Sequence, residues 1–186
     1  MRLILITLGA ALLVGSVSGG RIAGLTAVHL RWGWLALAGI VLQLVPITGT
    51  AGFGVLLASF AALIAFAVAN LRAAGFWLIL VGLACNLVVI AANGGMPVTR
   101  EALVASGQLG TLQALRREGG AKHHLAGEGD VLLFLADVIP IGPPIRQVVS
   151  IGDVFVHAGA FWLVVRSMRR REAEVGPAAD ARTEGT

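Results

Sequence analysis

The first 98 residues contain no acidic residue and only four arginines, and this charge-poor stretch constrains the fold more than any other feature. The first carboxylate is that of Glu101. Over the whole chain 57% of residues are hydrophobic and 13% are charged, whereas charged residues make up about 25% of a typical soluble protein. So few charged side chains cannot cover the surface of a soluble domain of this length. The composition therefore indicates an integral membrane protein.

Apolar runs of suitable length predict about five transmembrane helices. A helix needs about 20 apolar residues to cross the hydrocarbon core. Trp32 and Trp34 flank the second run and are typical of the membrane interface, while Gln43 and Asn86 are expected to form a hydrogen bond between two spans. The predicted fold is all-α, a single polytopic membrane domain over residues 1–169 with spans near 3–19, 33–47, 53–70, 76–92 and 148–165.

The first apolar run has a second interpretation, as a secretory signal peptide. Arg2 precedes the run, and the small residues Ser16-Val-Ser18 follow it near a suitable cleavage point. Cleavage would invert every later span and place Arg21 and Arg31 on the outer side, against the positive-inside rule. We therefore expect an uncleaved span, with cleavage as the alternative.

Residues 93–147 differ from the apolar spans because they are rich in glycine, proline and charged residues. Two weakly amphipathic pieces, Arg100–Ala105 and Thr111–Glu118, predict short helices. Thr99 is expected to cap the first of them. The Val131–Ile141 run is apolar but only about half a span long, and prolines end it, so it predicts a re-entrant or interfacial segment.

The arginines predict how the chain is oriented. A cytoplasmic C-terminus gathers the basic connections on the inner side, as the positive-inside rule requires: Arg21, Arg31, Arg72 and the cluster at 166–171. The uncharged turn at Pro46–Gly52 and the 93–147 region then lie outside, and so does the N-terminus. Residues 170–186 are rich in Ala, Gly, Glu and Thr and predict a disordered cytoplasmic tail.

Ionisable side chains at membrane depth are costly, so they mark candidate functional sites. Asp153 and His157 are four residues apart and share one helix face, and Asp137 lies on the short apolar segment before that helix. We expect the three to converge near the outer interface. One interpretation is structural, with Asp153 capping the helix and pairing with His157 or Arg146. The other is a site for a proton, a metal ion or a polar headgroup.

The tandem pair His123-His124 also allows two interpretations. Adjacent residues point about 100° apart on a helix, so both rarely bind one ion, and a solvated loop pair is the simpler interpretation. With Asp130 or Asp137, one of the two histidines would complete a metal site. The candidate ligand or proton residues therefore include His124, and also Asn93 at the end of the fourth span.

Several sequence runs resemble an uncharacterised bacterial family of small multi-span membrane proteins, domain of unknown function 5317. The resemblance covers nearly the whole chain up to about Arg169. It implies a bacterial plasma-membrane protein in contact with the lipid bilayer and supplies no activity. The runs that carry it are Asn93-Gly-Gly-Met-Pro-Val98, Lys122-His-His124, Leu135-Ala-Asp-Val-Ile-Pro140 and Ser150-Ile-Gly-Asp-Val154 with Gly159.

The layout of Asp137 and Asp153 is also similar to that of the lipoprotein signal peptidase family, which has two catalytic aspartates near the outer membrane face. This weaker resemblance implies that Asp137 and Asp153 are catalytic. Two close carboxylates that share a proton can activate water for hydrolysis. The chain departs from that family because it has no Gly-Asn-x-x-Asp-Arg stretch, and Ser150-Ile-Gly152 replaces Asn-x-Ala.

These observations favour a bacterial inner-membrane protein that is non-enzymatic or of unassigned activity and has a polar site at its outer face. It would be either an accessory subunit of another membrane protein or a binder of a small ligand. The alternatives are an intramembrane aspartyl hydrolase that uses Asp137 and Asp153, and a small transporter, which the absence of an inverted repeat disfavours. The residues identify no cofactor or metal, and Cys85 is a lone cysteine. Nucleic-acid binding is excluded because the basic residues flank apolar spans.

Overall fold

The computed structural model describes residues 2–46, 49–118, 120 and 122–169. Most of these residues are helical, and two short 3-10 helices, Ile22–Ala27 and Leu133–Leu135, accompany the α-helices. The α-helices in chain order are α1 (Arg2–Val17), α2 (Gly33–Leu44), α3 (Gly49–Ala69), α4 (Phe76–Asn93), α5 (Arg100–Ala105), α6 (Leu109–Glu118) and α7 (Ile151–Arg169). The predicted tail at 170–186 lies outside the described residues.

Three helices, α3, α4 and α7, are long and apolar enough to cross a membrane. They lie within a few residues of three predicted spans. Helices α1 and α2 are also apolar, but they have 16 and 12 residues, fewer than the roughly 20 that a straight span needs. The predicted count of five spans is therefore not confirmed by helix length.

Helix α7 packs between α1 and α4, α4 packs on α3, and α3 packs on α2. Helices α4 and α7 are antiparallel and approach closely at Gly82 and Gly152, where a methyl group on either residue would collide with the backbone of the other helix. Seven residues away, Gly75 and Gly159 make a second close approach. Small residues allow such contacts between apolar helices, where dispersion contacts replace the hydrophobic effect.

Helix α1 runs parallel to α7 along its whole length. At one end Arg2 Nη1 donates to the carbonyl oxygen of Pro144 at 3.1 Å. At the other end the N–H of Arg21 donates to the carbonyl oxygen of Met168 at 2.9 Å. The 16 residues of α1 therefore extend beside a helix long enough to span a membrane.

Between α4 and α7 the chain also forms strands, which corrects the all-α prediction. Strand β1 (Met96–Val98) pairs in parallel with β2 (His123–Leu125), and β3 (Ile139–Ile141) pairs in antiparallel with β4 (Gln147–Val149). Prolines at the centres of β1 and β3 have no N–H, and the residue before a proline favours extended backbone. These segments therefore extend instead of continuing as helices.

The two short helices predicted in this connecting segment are present as α5 and α6. Thr99 caps α5 as expected, with its side chain accepting from the N–H of Ala102. The Val131–Ile141 run folds into a 3-10 helix followed by β3. Its residues Val131 and Phe134 are 51% and 63% exposed, so an apolar tip is present where an interfacial segment was predicted.

Candidate functional site

A cavity of about 130 Å³ lies where α4 and α7 meet the connecting segment. Its apolar lining comes from α3, α4 and β1. Six polar side chains also line it, from α2, α4, β2, α7, the residue before β2 and the segment before β3: Gln43, Asn86, Lys122, His123, Asp137 and Asp153.

Backbone pairing with β1 positions Asp137 at this cavity. The N–H of Asp137 donates to the carbonyl oxygen of Pro97 at 3.0 Å, and its own carbonyl oxygen accepts from the N–H of Thr99 at 3.2 Å. Asp137 thereby forms an isolated parallel bridge with Val98. Strand β1 is thus paired on both edges, by β2 on one side and by Asp137 on the other.

The carboxyl group of Asp137 is buried and incompletely satisfied. The residue is 7% exposed, and its Oδ1 has no hydrogen-bond partner among the residues that the structure describes. Nearly all buried polar atoms have such a partner. Burial raises the pKa of Asp137 to about 8, and the negative charge of Asp153 acts in the same direction. Near neutral pH the carboxyl is mainly protonated, and Oδ1 remains available as an acceptor.

The strand geometry of β2 separates the two tandem histidines. His123 pairs in register with Met96, and His124 pairs with Pro97, so their side chains point to opposite faces. His123 Nε2 lies 3.6 Å from Asp137 Oδ2, which is too long for a hydrogen bond. The helical geometry assumed for the pair is wrong, and His123 lines the cavity where His124 was the predicted candidate.

His124 makes a structural contact on the other face. Its Nε2 lies 2.8 Å from Asp130 Oδ1, and Asp130 Oδ2 accepts from the N–H of Gly127 at 2.8 Å. Desolvation alone would raise the pKa of Asp130, but the hydrogen bonds from Gly127 and His124 outweigh it and lower the pKa. Both oxygens of this carboxylate are occupied within the 124–130 loop.

Asp153 forms a reciprocal cap at the start of α7. Ser150 Oγ accepts from the N–H of Asp153 at 2.9 Å, and Asp153 Oδ2 accepts from the N–H of Ser150 at 3.2 Å, as in a capping box. Asn86 Nδ2 donates to Asp153 Oδ1 at 2.8 Å, and Ser150 Oγ donates to Asn86 Oδ1 at 2.9 Å. The close approach of α4 to α7 makes this network possible.

Two other predicted candidates make contacts elsewhere. Asn93 Nδ2 donates to the carbonyl oxygen of Val131 at 3.0 Å, and Asn93 Oδ1 accepts from the N–H of Val131 at 2.8 Å. Asn93 thus fastens the connecting segment to the end of α4. His157 Nδ1 lies 3.1 Å from Thr7 Oγ1, so its hydrogen-bond contact joins α7 to α1 and is not with Asp153.

The cavity therefore gathers some of the sequence candidates and adds others. It brings Asp137 and Asp153 together, whereas Asn93, His124 and His157 do not line it. No periodicity in the sequence could single out His123, because a strand of three residues is too short to show alternation. The lining residues that were not named as site candidates are Gln43, Asn86, Lys122 and His123.

A second cavity, of about 220 Å³, lies on the other side of His123 and Asp137. Apolar side chains of β1, α5, α6 and β4 and the amides of Gln108 and Gln147 line it. Because the same two side chains line both cavities, His123 and Asp137 form a partition between them. We call the cavity with Asp153 the inner chamber and the one with Gln108 the outer chamber.

The arrangement is suited to hydrogen bonding and to proton binding. Within residues 2–46, 49–118, 120 and 122–169, no group of three or more His, Cys, Asp or Glu side chains could hold a metal ion. Two carboxyl groups in unlike environments face one chamber. The carboxyl of Asp137 has an open acceptor, whereas hydrogen bonds from Ser150 and Asn86 occupy that of Asp153.

Fold and cavity together define the class of protein. It is mostly helical, with three helices that are long and apolar enough to cross a membrane. A polar cavity lies at one end of these helices. The chain belongs to the family of unknown function DUF5317, whose profile matches residues 27–165. Membership confirms the resemblance seen in the sequence and assigns no activity. No curated protein and no solved structure matches the chain, so the likeness to the lipoprotein signal peptidase is not supported.

Proposed function

We propose that this protein is a membrane-embedded binder of a small polar ligand, which Asp137 recognises in the inner chamber. The observation that carries the proposal is the Asp137 carboxyl group, which is buried, faces a cavity and has an Oδ1 without a partner among the described residues. An unpaired buried acceptor costs about 1–3 kcal/mol. A ligand that donates a hydrogen bond to Oδ1 would recover that free energy.

The proposed topology has five spans, with the N-terminus outside and the C-terminus in the cytoplasm of a bacterial plasma membrane. The contacts of α1 along α7 support an uncleaved first span. Helix α2 is antiparallel to α3, since Arg31 contacts Asn70 at one end while Gln43 and Leu56 line the inner chamber at the other. The positive-inside rule then places the chambers at the outer face.

The dimensions of the inner chamber limit the ligand, or the part of it that enters. A volume of about 130 Å³ is well below the roughly 300–1,000 Å³ of pockets that hold drug-sized ligands. The ligand group must therefore be small, and it must carry at least one N–H or O–H donor for Asp137. Asp153 is the second carboxyl group at this chamber, so an amine is the donor that we favour.

Ethanolamine is a suitable probe because it is small and carries both an ammonium and a hydroxyl donor. We expect it to raise the thermal unfolding temperature of the detergent-solubilised protein, since a ligand that binds only the folded state stabilises it. Acetate, of similar size but without a donor in its ionised form, should have no such effect. Asp137→Leu, which has no acceptor at this position, should lose the response to ethanolamine, whereas Asp130→Asn, altered at a carboxylate that does not line the chamber, should keep it.

Retention of the full ethanolamine response by Asp137→Leu would refute binding at this carboxyl group. An equal response to acetate would show that hydrogen-bond donation is not what the chamber selects.

An intramembrane aspartyl hydrolase is the second candidate, and the observation that favours it is the pairing of two carboxyl groups in one chamber. A protonated acid beside a second carboxylate is the arrangement used for general acid–base hydrolysis. It ranks lower because both oxygens of Asp153 already accept hydrogen bonds. Incubation with a membrane-anchored peptide should yield no cleavage; cleavage abolished by Asp137→Asn would establish the hydrolase instead.

A further inference from the structure

The end of the bundle opposite to the two chambers carries another polar depression, between the start of α2 and the loop after α3. Its volume is about 420 Å³, and its polar lining includes His29, Arg31, Asn70 and Arg72. None of these residues lines the inner or outer chamber. Whatever binds here is therefore independent of the ligand proposed for Asp137.

A buried amide shapes this depression. Asn70, which is 5% exposed, accepts from the N–H of Arg31 at 2.8 Å through Oδ1 and donates to the carbonyl oxygen of Arg31 at 2.9 Å through Nδ2. A third bond, from Nδ2 to the carbonyl oxygen of Phe66 at 2.8 Å, anchors the amide to α3. The backbone of Arg31 is thereby fixed beside the loop that contains Arg72.

The ionisable side chains that line this depression are all basic. No carboxylate occurs in the first 98 residues, and both ion pairs found in the described part of the chain involve histidines of β2. The exposed side chains of Arg31 and Arg72 thus have no acidic partner among the described residues. A concave surface with two guanidinium groups and no carboxylate favours an anion. Guanidinium groups bind phosphate oxygens through paired, charge-assisted hydrogen bonds.

The position of the depression indicates where that anion comes from. Trp32 is 51% exposed, and the guanidinium carbon of Arg31 lies 5.9 Å from the centre of its ring. Tryptophan and arginine at the end of an apolar helix are typical of the headgroup layer. Because the backbone of Arg31 bonds to Asn70, the start of α2 is level with the end of α3, and Trp32 lies at that end of the bundle.

We propose that this depression binds the phosphate group of an anionic phospholipid, with Arg31 and Arg72 as the residues that contact its oxygens. Basic pockets between membrane helices bind such headgroups. The phosphate group of a soluble anion has the same chemistry, so the experiment must separate the two sources. The exposed Trp32 beside Arg31, which is typical of the headgroup layer, favours the lipid.

Native mass spectrometry of the full chain in a neutral detergent, titrated with phosphatidylglycerol or phosphatidylcholine, tests this proposal. We expect tighter binding of phosphatidylglycerol, weakened about fivefold by Arg31→Gln and by Arg72→Gln. Arg21→Gln is the matched control, because Arg21 is an exposed arginine at the same end that does not line the depression. It should bind phosphatidylglycerol like the unaltered protein.

Equal binding of the two lipids, or equal weakening by Arg21→Gln and Arg72→Gln, would overturn the proposal. Displacement of phosphatidylglycerol by inorganic phosphate at comparable concentration would overturn the lipid assignment in favour of a soluble anion. Thermal unfolding without added lipid checks that each variant is folded. Since Arg72 lies exposed in a loop, Arg72→Gln provides the comparison even if Arg31→Gln fails to fold.

Discussion

Two histidine–aspartate pairs lie close together in the connecting segment and differ in how their carboxyl groups are satisfied. In the pair His124–Asp130 the closest N···O distance is 2.8 Å, and both Asp130 oxygens accept hydrogen bonds. In the pair His123–Asp137 that distance is 3.6 Å, and Asp137 Oδ1 has no partner among the described residues. The first carboxylate holds a loop together, whereas the second is free to bind something else.

The pKa values of the two aspartates differ as their hydrogen bonding does: the pKa of Asp130 is lowered and that of Asp137 is raised. Hydrogen bonds from Gly127 and His124 lower the pKa of Asp130 against the effect of desolvation. Burial raises the pKa of Asp137 to about 8, assisted by the charge of Asp153. His123 and His124 are adjacent in sequence, yet the two histidine–aspartate pairs have different roles. The alternation of β2 sends one histidine to the loop and the other to the chamber.

The largest expected effect is a gain of stability in Asp137→Asn at alkaline pH. Because folding raises the pKa of Asp137, the folded state holds a proton that the unfolded state has lost between about pH 4 and about pH 8. The free energy of unfolding therefore falls across that range and is constant above it. Asparagine removes this penalty, so we expect the variant to be more stable by about 3–5 kcal/mol at alkaline pH.

Chemical unfolding in detergent as a function of pH measures this difference. The two proteins should converge near pH 4, and the unaltered protein should have the steeper loss of stability. Parallel curves for Asp137→Asn and the unaltered protein would contradict a protonated, unsatisfied Asp137.

The opposite sign is expected for Asp130→Asn. The pKa of Asp130 is lowered by folding, so its contribution to stability is present above about pH 4 and is lost as the pH falls through the folded-state pKa. The variant should lose about 1–3 kcal/mol at neutral pH, because His124 and the N–H of Gly127 lose a charged acceptor. The same unfolding experiment checks it, and a stability gain like that of Asp137→Asn would abolish the distinction between the two pairs.

Replacing each histidine separately should change the free energy of unfolding by less than the aspartate substitutions do. His124→Phe leaves Asp130 Oδ1 without its partner and should cost about 1 kcal/mol. His123→Phe removes a contact that is too long for a hydrogen bond, so it should cost less than about 0.5 kcal/mol. Equal losses in the two variants, measured by unfolding at neutral pH, would mean that the two contacts have similar strength.

The sequence predicted the apolar helices better than the site between them. Apolar runs located α3, α4 and α7 to within a few residues, because a helix able to cross a membrane must be continuously hydrophobic over about 20 residues. The spacing Ser150-x-x-Asp153 is a recognisable capping box, and the structure contains it. Strands of three residues show no usable periodicity, so the extended backbone of β2 was not foreseen.

The position of Asp137 could not be predicted from local sequence at all. Its backbone partners, Pro97 and Thr99, lie about forty positions earlier in the chain. The contact of Asn86 with Asp153 likewise depends on the close approach of α4 and α7. Four glycines allow this approach: Gly75 just before α4, Gly82 on α4, and Gly152 and Gly159 on α7. Their spacing of seven residues is visible in the sequence, but their partners become evident only once the helices are paired.

A third histidine–aspartate combination, Asp153 with His157, provides the smallest expected effect. The sequence places both residues on one helix face, but Asp153 bonds to Ser150 and Asn86, and His157 contacts Thr7. A double-mutant cycle of Asp153→Asn and His157→Ala should therefore give a coupling energy below about 0.5 kcal/mol. A larger coupling would restore the pairing that the sequence suggested.

Asp137, unlike Asp130, has an open acceptor, Oδ1. We propose that a donor ligand occupies it. The most direct measurement is the titration of the Asp137 carboxyl carbon by NMR in detergent, assigned by its loss in Asp137→Asn and repeated with ethanolamine. We predict a midpoint near 8 that moves downward when the ammonium group stabilises the ionised carboxylate. A midpoint near 4, as in an ordinary aspartate, and unchanged by ethanolamine would contradict this prediction.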